Sequence, residues 1–361
     1  MSMDAALWVV QNILFPLLIP VVLLTGVPIA TWVERRGAAF IQDRVGPNRI
    51  PIFGLRNAGI LQPIADALKL LVKEDFLPAR ADRFLYFLAP AISMLPPLLT
   101  FAVIPFGDTV VIGGRALRLQ VADLNVGLLF IFAIASLGVY GIVLGGWASN
   151  NKYSLLGGLR SSAQMISYEI SMGLAVIGVL IVFESVRLSD IVRMQGTLLW
   201  GLIPKWGIVV QPLGFLLFFV AALAETNRIP FDLPEAEAEI VAGYHLEYSS
   251  FKFSMFFMAE YANMLVASGV IVSLFLGGWQ IPWLPTHTLS AYVGPFLTAV
   301  LQVTVFVVKL WLLMWLFVWL RWTLPRFRYD QLMRLGWRVM LPLALANICV
   351  TAIVPFLIGA F

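Results

Sequence analysis

The sequence predicts an all-α integral membrane protein: eight transmembrane helices plus one amphipathic interfacial helix on the cytoplasmic side, forming a single polytopic domain over 1–361. Three observations carry this prediction. First, 60% of the 361 residues are hydrophobic and only 12% are charged, a balance outside the range of soluble domains. Second, there are eight apolar runs, Ala5–Val33, Phe84–Gly107, Leu124–Ser149, Ser161–Phe183, Trp206–Ala224, Phe253–Gly277, Leu289–Leu320 and Val339–Phe361. Each is near or above the roughly 20 residues a helix needs to cross the hydrocarbon, and none shows the short alternation of a barrel strand. Third, Lys and Arg are lopsided: 18 of 24 lie in the segments 34–83, 150–160, 225–252 and 321–338, five in the alternate loops, and Lys309 inside a span. The positive-inside rule then makes those four segments cytoplasmic and puts both termini outside.

The first run has no basic flank before it and no small-residue cleavage site after it, so it is expected to be a true span. Segment 34–83 opens with Glu34, Arg35 and Arg36 at the membrane edge and turns through Gly46, Pro47 and Pro51. From Gly59 to Asp75, Ile60, Leu61, Ile64, Leu68, Leu71 and Val72 share one helical face, while Gln62, Asp66, Lys69 and Lys73 share the other. This helix is too charged to span, so it lies at the interface, either as a surface anchor or as one wall of a cavity. The second run carries Pro90, Pro96, Pro97 and Pro105, which predict kinks.

Carboxylates inside the spans are the first functional signal. Glu169 sits well inside the fourth run, Glu260 inside the sixth, and Glu225 follows the fifth. Intramembrane ionisable groups are costly and point to proton or ion routes. The bland alternative for Glu169 is a hydroxyl partner such as Ser167 or Ser171. Lys309 is expected to have a carboxylate partner.

The second signal is the stretch from Ala224 to Phe253, where Glu225, Asp232, Glu235, Glu237, Glu239 and Glu247 place six of the chain's twenty acidic residues in thirty positions. Crowded carboxylates beside a low-dielectric slab repel one another, which favours protonated forms. Asp232 and Glu235 have capping-box spacing with Pro234 in the first turn, predicting a short helix from Leu233 to about Gly243. On it Glu235 and Glu239 share a face at a cost in stability. A solvated acidic loop is the alternative, yet Phe231, Leu233, Ile240, Val241 and Tyr244 are not what such a loop needs.

The chain offers little for cofactor chemistry. Its one cysteine, Cys349, and two distant histidines, His245 and His287, cannot by themselves form a disulfide, a metal site or an iron–sulfur site. There is no P-loop, dinucleotide glycine fingerprint or nucleophile elbow. The net charge of +4 needs no nucleic acid to explain it.

Several segments together resemble one family, the quinone-site membrane subunit (the H subunit) of respiratory complex I, the proton-translocating NADH–quinone oxidoreductase. They are ERRGAAFIQDRVGPNR (34–49), LQPIADALKLLVKED (61–75), NNKYSLLGGLRSSAQMISYE (150–169), FDLPEAEAEIVAGYHLEYSSFKF (231–253), FFMAEYANM (256–264) and WLRWTLPRFRYDQLMRLGW (319–337). The resemblance implies that no cofactor is bound by this chain, that a lipid quinone is the substrate, and that FMN and iron–sulfur clusters belong to partner subunits. It implies iron–sulfur and quinone-site subunits of a peripheral arm and other membrane-arm subunits as partners, in a bacterial inner membrane. By match, Glu34, Arg35 and Asp66 are quinone-chamber residues. Glu169, Glu225, Glu235, Glu237, Glu239, Glu247 and Glu260 form an acidic chain coupling the chamber to proton translocation, with Lys309 as a further candidate. Some family members carry a carboxylate in the third span where this chain has Ser136. A membrane subunit of a hydrogenase-type complex and a stand-alone cation/proton antiporter are the alternatives, although so large a charged cytoplasmic surface suits docking to partners.

Overall fold

The computed structural model describes residues 8–49, 59–112, 115–199, 201–233, 237–284 and 286–358. It is an all-α membrane architecture with two short β-hairpins. In chain order the principal helices are α1 (Phe15–Ile41), α2 (Gln62–Val72), α3 (Arg83–Phe101), α4 (Gly127–Ala148), α5 (Lys152–Phe183), α6 (Pro212–Glu225), α7 (Ser250–Phe275), α8 (Pro295–Thr323) and α9 (Tyr329–Ile353). The hairpins pair Val110–Ile112 with Arg115–Leu117 and Leu198–Leu199 with Ile203–Pro204.

Seven described helices are long and apolar enough to cross a membrane: all but α2 and α6. The run Trp206–Ala224 departs from a full-length helix. It forms one turn over Gly207–Val210, breaks at Gln211 (φ −131°, ψ 60°), and resumes as the 14-residue α6, about 21 Å long at 1.5 Å per residue. The cause is local: Pro212 disfavours the helical conformation in the residue before it. The backbone of Gln211 stays bonded locally, its N–H to the Gly207 carbonyl (2.7 Å) and its C=O to the Phe215 amide (2.9 Å), while its side chain ties the break to α9. The Gln211 amide donates to Thr351 Oγ1 at 2.6 Å and accepts from Asn347 Nδ2 at 2.9 Å.

Helix ends also differ from the runs. α1 carries on to Ile41, so Glu34, Arg35 and Arg36 lie in its last turns and not in a loop. α5 starts at Lys152, capped by the Asn151 side chain on the Tyr153 amide at 2.9 Å. Where α4 crosses α5, a Cβ on Gly146 would stand 2.6 Å from the Ser154 carbonyl oxygen; glycine lets the two backbones close up, as small residues do between membrane helices.

The interfacial helix is present as α2. Ile64, Leu68, Leu71 and Val72 are exposed, as is Ile60 just before it. The opposite edge is tied to the start of α7: Ser250 Oγ donates to the Leu70 carbonyl (3.0 Å), Ser249 Oγ to the Glu74 carbonyl (3.2 Å), and Lys252 Nζ lies 3.0 Å from Asp75. α7 itself is the most deeply buried of the spanning helices, whereas α1 is the most peripheral. A helix apolar all round belongs at a core, and any polar group α7 carries must therefore find its partner inside the protein.

The predicted helix from Leu233 to Gly243 is seen only in part. Pro234 and Glu235, with the predicted capping box, lie outside the described residues. Beyond them a short helix runs Glu237–Ile240 and a 3-10 turn Gly243–His245. The Asp232 carboxylate is drawn elsewhere, onto Arg326 Nη2 at 2.8 Å.

Candidate functional site

α7 presents Glu260 and Tyr261 inward, and both end on Arg228, which follows α6. Arg228 is 3% exposed. Its Nη1 donates to Glu34 Oε2 at 3.0 Å, and its Nε lies 2.7 Å from Glu260 Oε1, an ion pair without an aligned N–H. Its guanidinium carbon sits 4.2 Å from the centroid of the Tyr261 ring. The Tyr261 hydroxyl donates to Glu34 Oε2 at 2.8 Å, and Arg321, at the end of α8, donates to Glu34 Oε1. Four elements thus meet in one buried cluster of two carboxylates and two guanidiniums.

Taking such charges out of water costs several kcal/mol per ion, so the cluster holds together only because each charge faces its opposite. Burial opposes the charge on Arg228, but Glu260 and Glu34 outweigh it and hold the guanidinium's pKa well above its ordinary range. The strap after Arg228 is pinned from both sides. Gln164 Nε2 donates to the carbonyls of Ala224 and Phe231, each at 2.8 Å, and the Phe327 amide donates to the Pro230 carbonyl at 3.1 Å. Burial pushes the Asp232 carboxyl up, with Arg326 pulling against it.

Beside the cluster, a cavity of about 460 Å³ opens between α1, α2 and α7. Arg35 and Asp66 face each other across it as a hydrogen-bonded ion pair, and Asp66 also accepts from Gln62 Nε2 at 3.1 Å. Pro28, Thr31, Phe253 and Phe257 line it, and so does Tyr261. Glu34 does not line the cavity. It stands one residue behind, reached through the Tyr261 hydroxyl.

On the other side of the cluster, Glu260 and Glu225 line a small cavity of about 30 Å³ with Thr226, Asn227 and Asn263. Glu225 also lines a second cavity of about 40 Å³ toward Ala135 and Met172. Each is polar on part of its wall and roomy enough for water. Glu169 accepts a hydrogen bond from Ser136, not from Ser167 or Ser171. Ser136 bonds the Phe132 carbonyl as well.

The remaining expected residues are dispersed. Glu247 Oε1 accepts from Asn151 Nδ2 at 2.6 Å, and its backbone carbonyl accepts from the Tyr86 hydroxyl at 2.7 Å. Glu239 pairs with Arg160 at 2.7 Å near the surface. Glu237 starts the short helix, and its side chain, like all of Glu235, is outside the described residues. Lys309 corrects the expectation of a carboxylate partner. Its ammonium donates to three backbone carbonyls, Leu276 (2.8 Å), Gly278 (2.9 Å) and Gln280 (2.7 Å), over the Trp206 ring at 4.4 Å. A cation at a helix C-terminus satisfies both the dipole and the unpaired carbonyls. Among the described residues no group of three or more His, Cys, Asp or Glu is placed to hold a metal ion.

Sequence reasoning missed Arg228, Tyr261 and Arg321. Arg228 carried a usable signal, since it is the only Lys or Arg between Lys205 and Lys252 and so the one permanent local counter-charge for the acidic stretch. Tyr261 carried none.

The chain is similar to known proteins along most of its length. A family model described as NADH dehydrogenase matches residues 14–352. The chain is 52% identical over 330 residues to an NADH-quinone oxidoreductase H subunit (copy 1) of Geobacter metallireducens, covering 91% of this chain and 92% of that one. It is 53% identical over 327 residues to the NADH-quinone oxidoreductase H subunit of Thermomicrobium roseum, covering 90% of each. The corresponding protein of Cytophaga hutchinsonii (copy 1) is 48% identical over 322 residues, covering 89% of this chain and 90% of that one.

Proposed function

The chain belongs to the NADH dehydrogenase family, as a membrane subunit of the same kind as the NADH-quinone oxidoreductase H subunits, and from that premise we propose that it forms the membrane side of the quinone chamber and couples quinone reduction to proton translocation. The observation that carries this reading is Tyr261. Its ring walls the 460 Å³ cavity, and its hydroxyl reaches Glu34 inside the charged cluster. A substrate in the cavity is therefore one side chain away from Glu34, Arg228 and Glu260.

The cavity volume falls within the ~300–1,000 Å³ of small-molecule sites, and its walls are mainly apolar with one ion pair, as a lipid quinone headgroup requires. Electrons come from iron–sulfur and flavin groups of partner subunits. Reduction adds two electrons and two protons to the quinone, and negative charge builds on its oxygens before the protons arrive. That charge pulls on Arg35 across the cavity and loosens its hold on Asp66. Through Tyr261 it also disturbs the sharing of Arg228 between Glu34 and Glu260. A carboxylate whose counter-charge is drawn off takes up a proton. Glu260 then hands the change to Glu225 through the small cavity they share, and Glu225 to the region of Glu169. Glu239, Glu247, Glu235 and Glu237 serve the same coupling from the acidic stretch, in a bacterial inner membrane with both termini periplasmic.

Tyr261→Phe tests this in the intact, membrane-embedded complex. It keeps the ring and removes the hydroxyl. The expected result is an unchanged quinone KM with a fall in kcat of about tenfold or more, the loss of one hydrogen bond to a charged group. Unaltered kcat and proton translocation would remove the link between cavity and cluster.

A further inference from the structure

A second cavity, of about 640 Å³, opens on the other side of α1, against α8. Arg36 and Arg44 line it together with Trp32, Phe40 and Trp315. Arg35 and Arg36 are neighbours about 100° apart on one helix, so Arg35 serves the quinone-side cavity and Arg36 this one. We propose that this groove binds one anionic phospholipid, its phosphate between Arg36 and Arg44 and one acyl chain along Trp315, Leu312 and Val308.

The groove is built, and two glycines build it. A Cβ on Gly37 would lie 2.8 Å from the Trp315 ring, so the indole rests directly on the α1 backbone. A Cβ on Gly46 would lie 2.9 Å from Arg36 Cδ, so the turn after α1 closes over the arginine stem. Arg44 is fixed by its own amide on the Ala39 carbonyl (2.9 Å) and its Nε on Gln42 Oε1 (2.7 Å). Neither Arg36 nor Arg44 forms an ion pair with a carboxylate among the described residues, whereas the neighbouring Arg35 on the quinone side does. Two guanidiniums held at one mouth call for an anion, and phosphate fits their fork of donors.

The occupant is a lipid and not an acidic peptide because of what continues beneath the mouth. Trp315, Trp319 and Trp322 are spaced four and three apart on one face of α8 and are 38%, 54% and 37% exposed, an interfacial indole stripe. Further from the end of α8, Leu312 and Val308 are 64% and 52% exposed on that face. Val308 lies 15 residues before Thr323, about 22 Å down the helix, at a depth that an acyl chain reaches.

The test uses the intact complex, stripped of loose lipid in detergent and titrated with phosphatidylglycerol or phosphatidylcholine, with bound lipid counted by native mass spectrometry. Each basic residue near an anionic surface changes affinity about fivefold, so the Arg36→Gln/Arg44→Gln double variant loses about thirtyfold for phosphatidylglycerol. Its phosphatidylcholine binding stays as in the parent. Should the double variant not assemble, Arg44→Gln alone, outside the helix, loses about fivefold. Equal phosphatidylglycerol binding by parent and variant overturns the proposal. So does release of a protein subunit from the variant with lipid binding intact, which would make the groove a peptide site. Neither result touches the quinone reading, which rests on the opposite face of α1.

Discussion

Glu34 and Arg228, 194 positions apart in the chain, meet at 3.0 Å in the interior, and Arg228 turns its other edge to Glu260 at 2.7 Å. One guanidinium therefore serves a carboxylate that touches the quinone-side wall and one that touches the inner cavities. Losing Arg228 leaves two buried carboxylates without their shared counter-charge, which costs ~3–5 kcal/mol. Arg228→Ala is expected to prevent assembly of the complex. Arg228→Lys keeps the charge, but a single ammonium cannot span both carboxylates as the planar fork does. It is expected to assemble with reduced coupled turnover, read as proton translocation per NADH oxidised. Wild-type coupling in Arg228→Lys would mean that only charge, not the two-sided fork, matters.

The ion pair of Arg35 and Asp66 makes the opposite prediction. The side chains are 50% and 27% exposed, and exposed pairs contribute within ~1 kcal/mol. Arg35→Ala and Asp66→Asn are expected to leave thermal stability within a few degrees of the parent and to raise the apparent KM for quinone severalfold. Quinone titrations with the purified complex decide it. A KM equal to the parent's in both variants would place the substrate elsewhere.

Much of this was legible in the sequence, for reasons that differ between the parts. Seven spans and the interfacial helix follow from run length and face periodicity, and the structure returns them with shifted ends. The fifth run is helical on both sides of a break at Gln211, which hydropathy does not register because the effect of Pro212 is on backbone conformation. Glu169, Glu225 and Glu260 stand out in the sequence because a carboxylate in or at the end of an apolar run is costly anywhere. Their partners were not found: Ser136 and Arg321 come from other helices and Arg228 from the strap after α6, and contact between residues 33 to 287 positions apart leaves no trace in local pattern. Glu34 and Glu260, expected in separate chamber and coupling sets, both pair with Arg228, a juxtaposition that sequence spacing does not display.

A pH-dependent contribution lies at the far end of the molecule. Hydrogen bonds from Arg187, against the cost of burial, hold the Asp123 carboxyl below its ordinary 3.8. The folded state thus binds this proton less readily than the unfolded state. Stability from the pair is fully present above the unfolded value and disappears as pH falls through the lower folded one. Asp123→Asn is expected to lower stability at neutral pH by ~1.5–3 kcal/mol, typical of hydrogen bonds to a charged group. The difference between parent and variant stays constant across the neutral range and closes only in acid. Thermal inactivation of the complex against pH measures it; a gap that opened or closed near neutrality would assign the effect to another group.

Lys309, the basic residue in the middle of α8, separates a structural from a transport role. Its ammonium has three donors, and the structure gives it three acceptors, the carbonyls of Leu276, Gly278 and Gln280 at the end of α7. Lys309→Met keeps the length and removes all three bonds at a partly buried site, where each orphaned buried carbonyl costs ~1–3 kcal/mol. α7 carries Glu260 and Tyr261 near its middle, so loosening the end of the helix reaches the charged cluster. The variant is expected to inactivate faster on heating and to assemble in lower yield. The enzyme that does assemble should keep the parent's quinone KM and its protons translocated per electron. Normal heat resistance combined with a loss of proton translocation would reverse the assignment, because a cap cannot be removed without cost to the helix, whereas a proton carrier can.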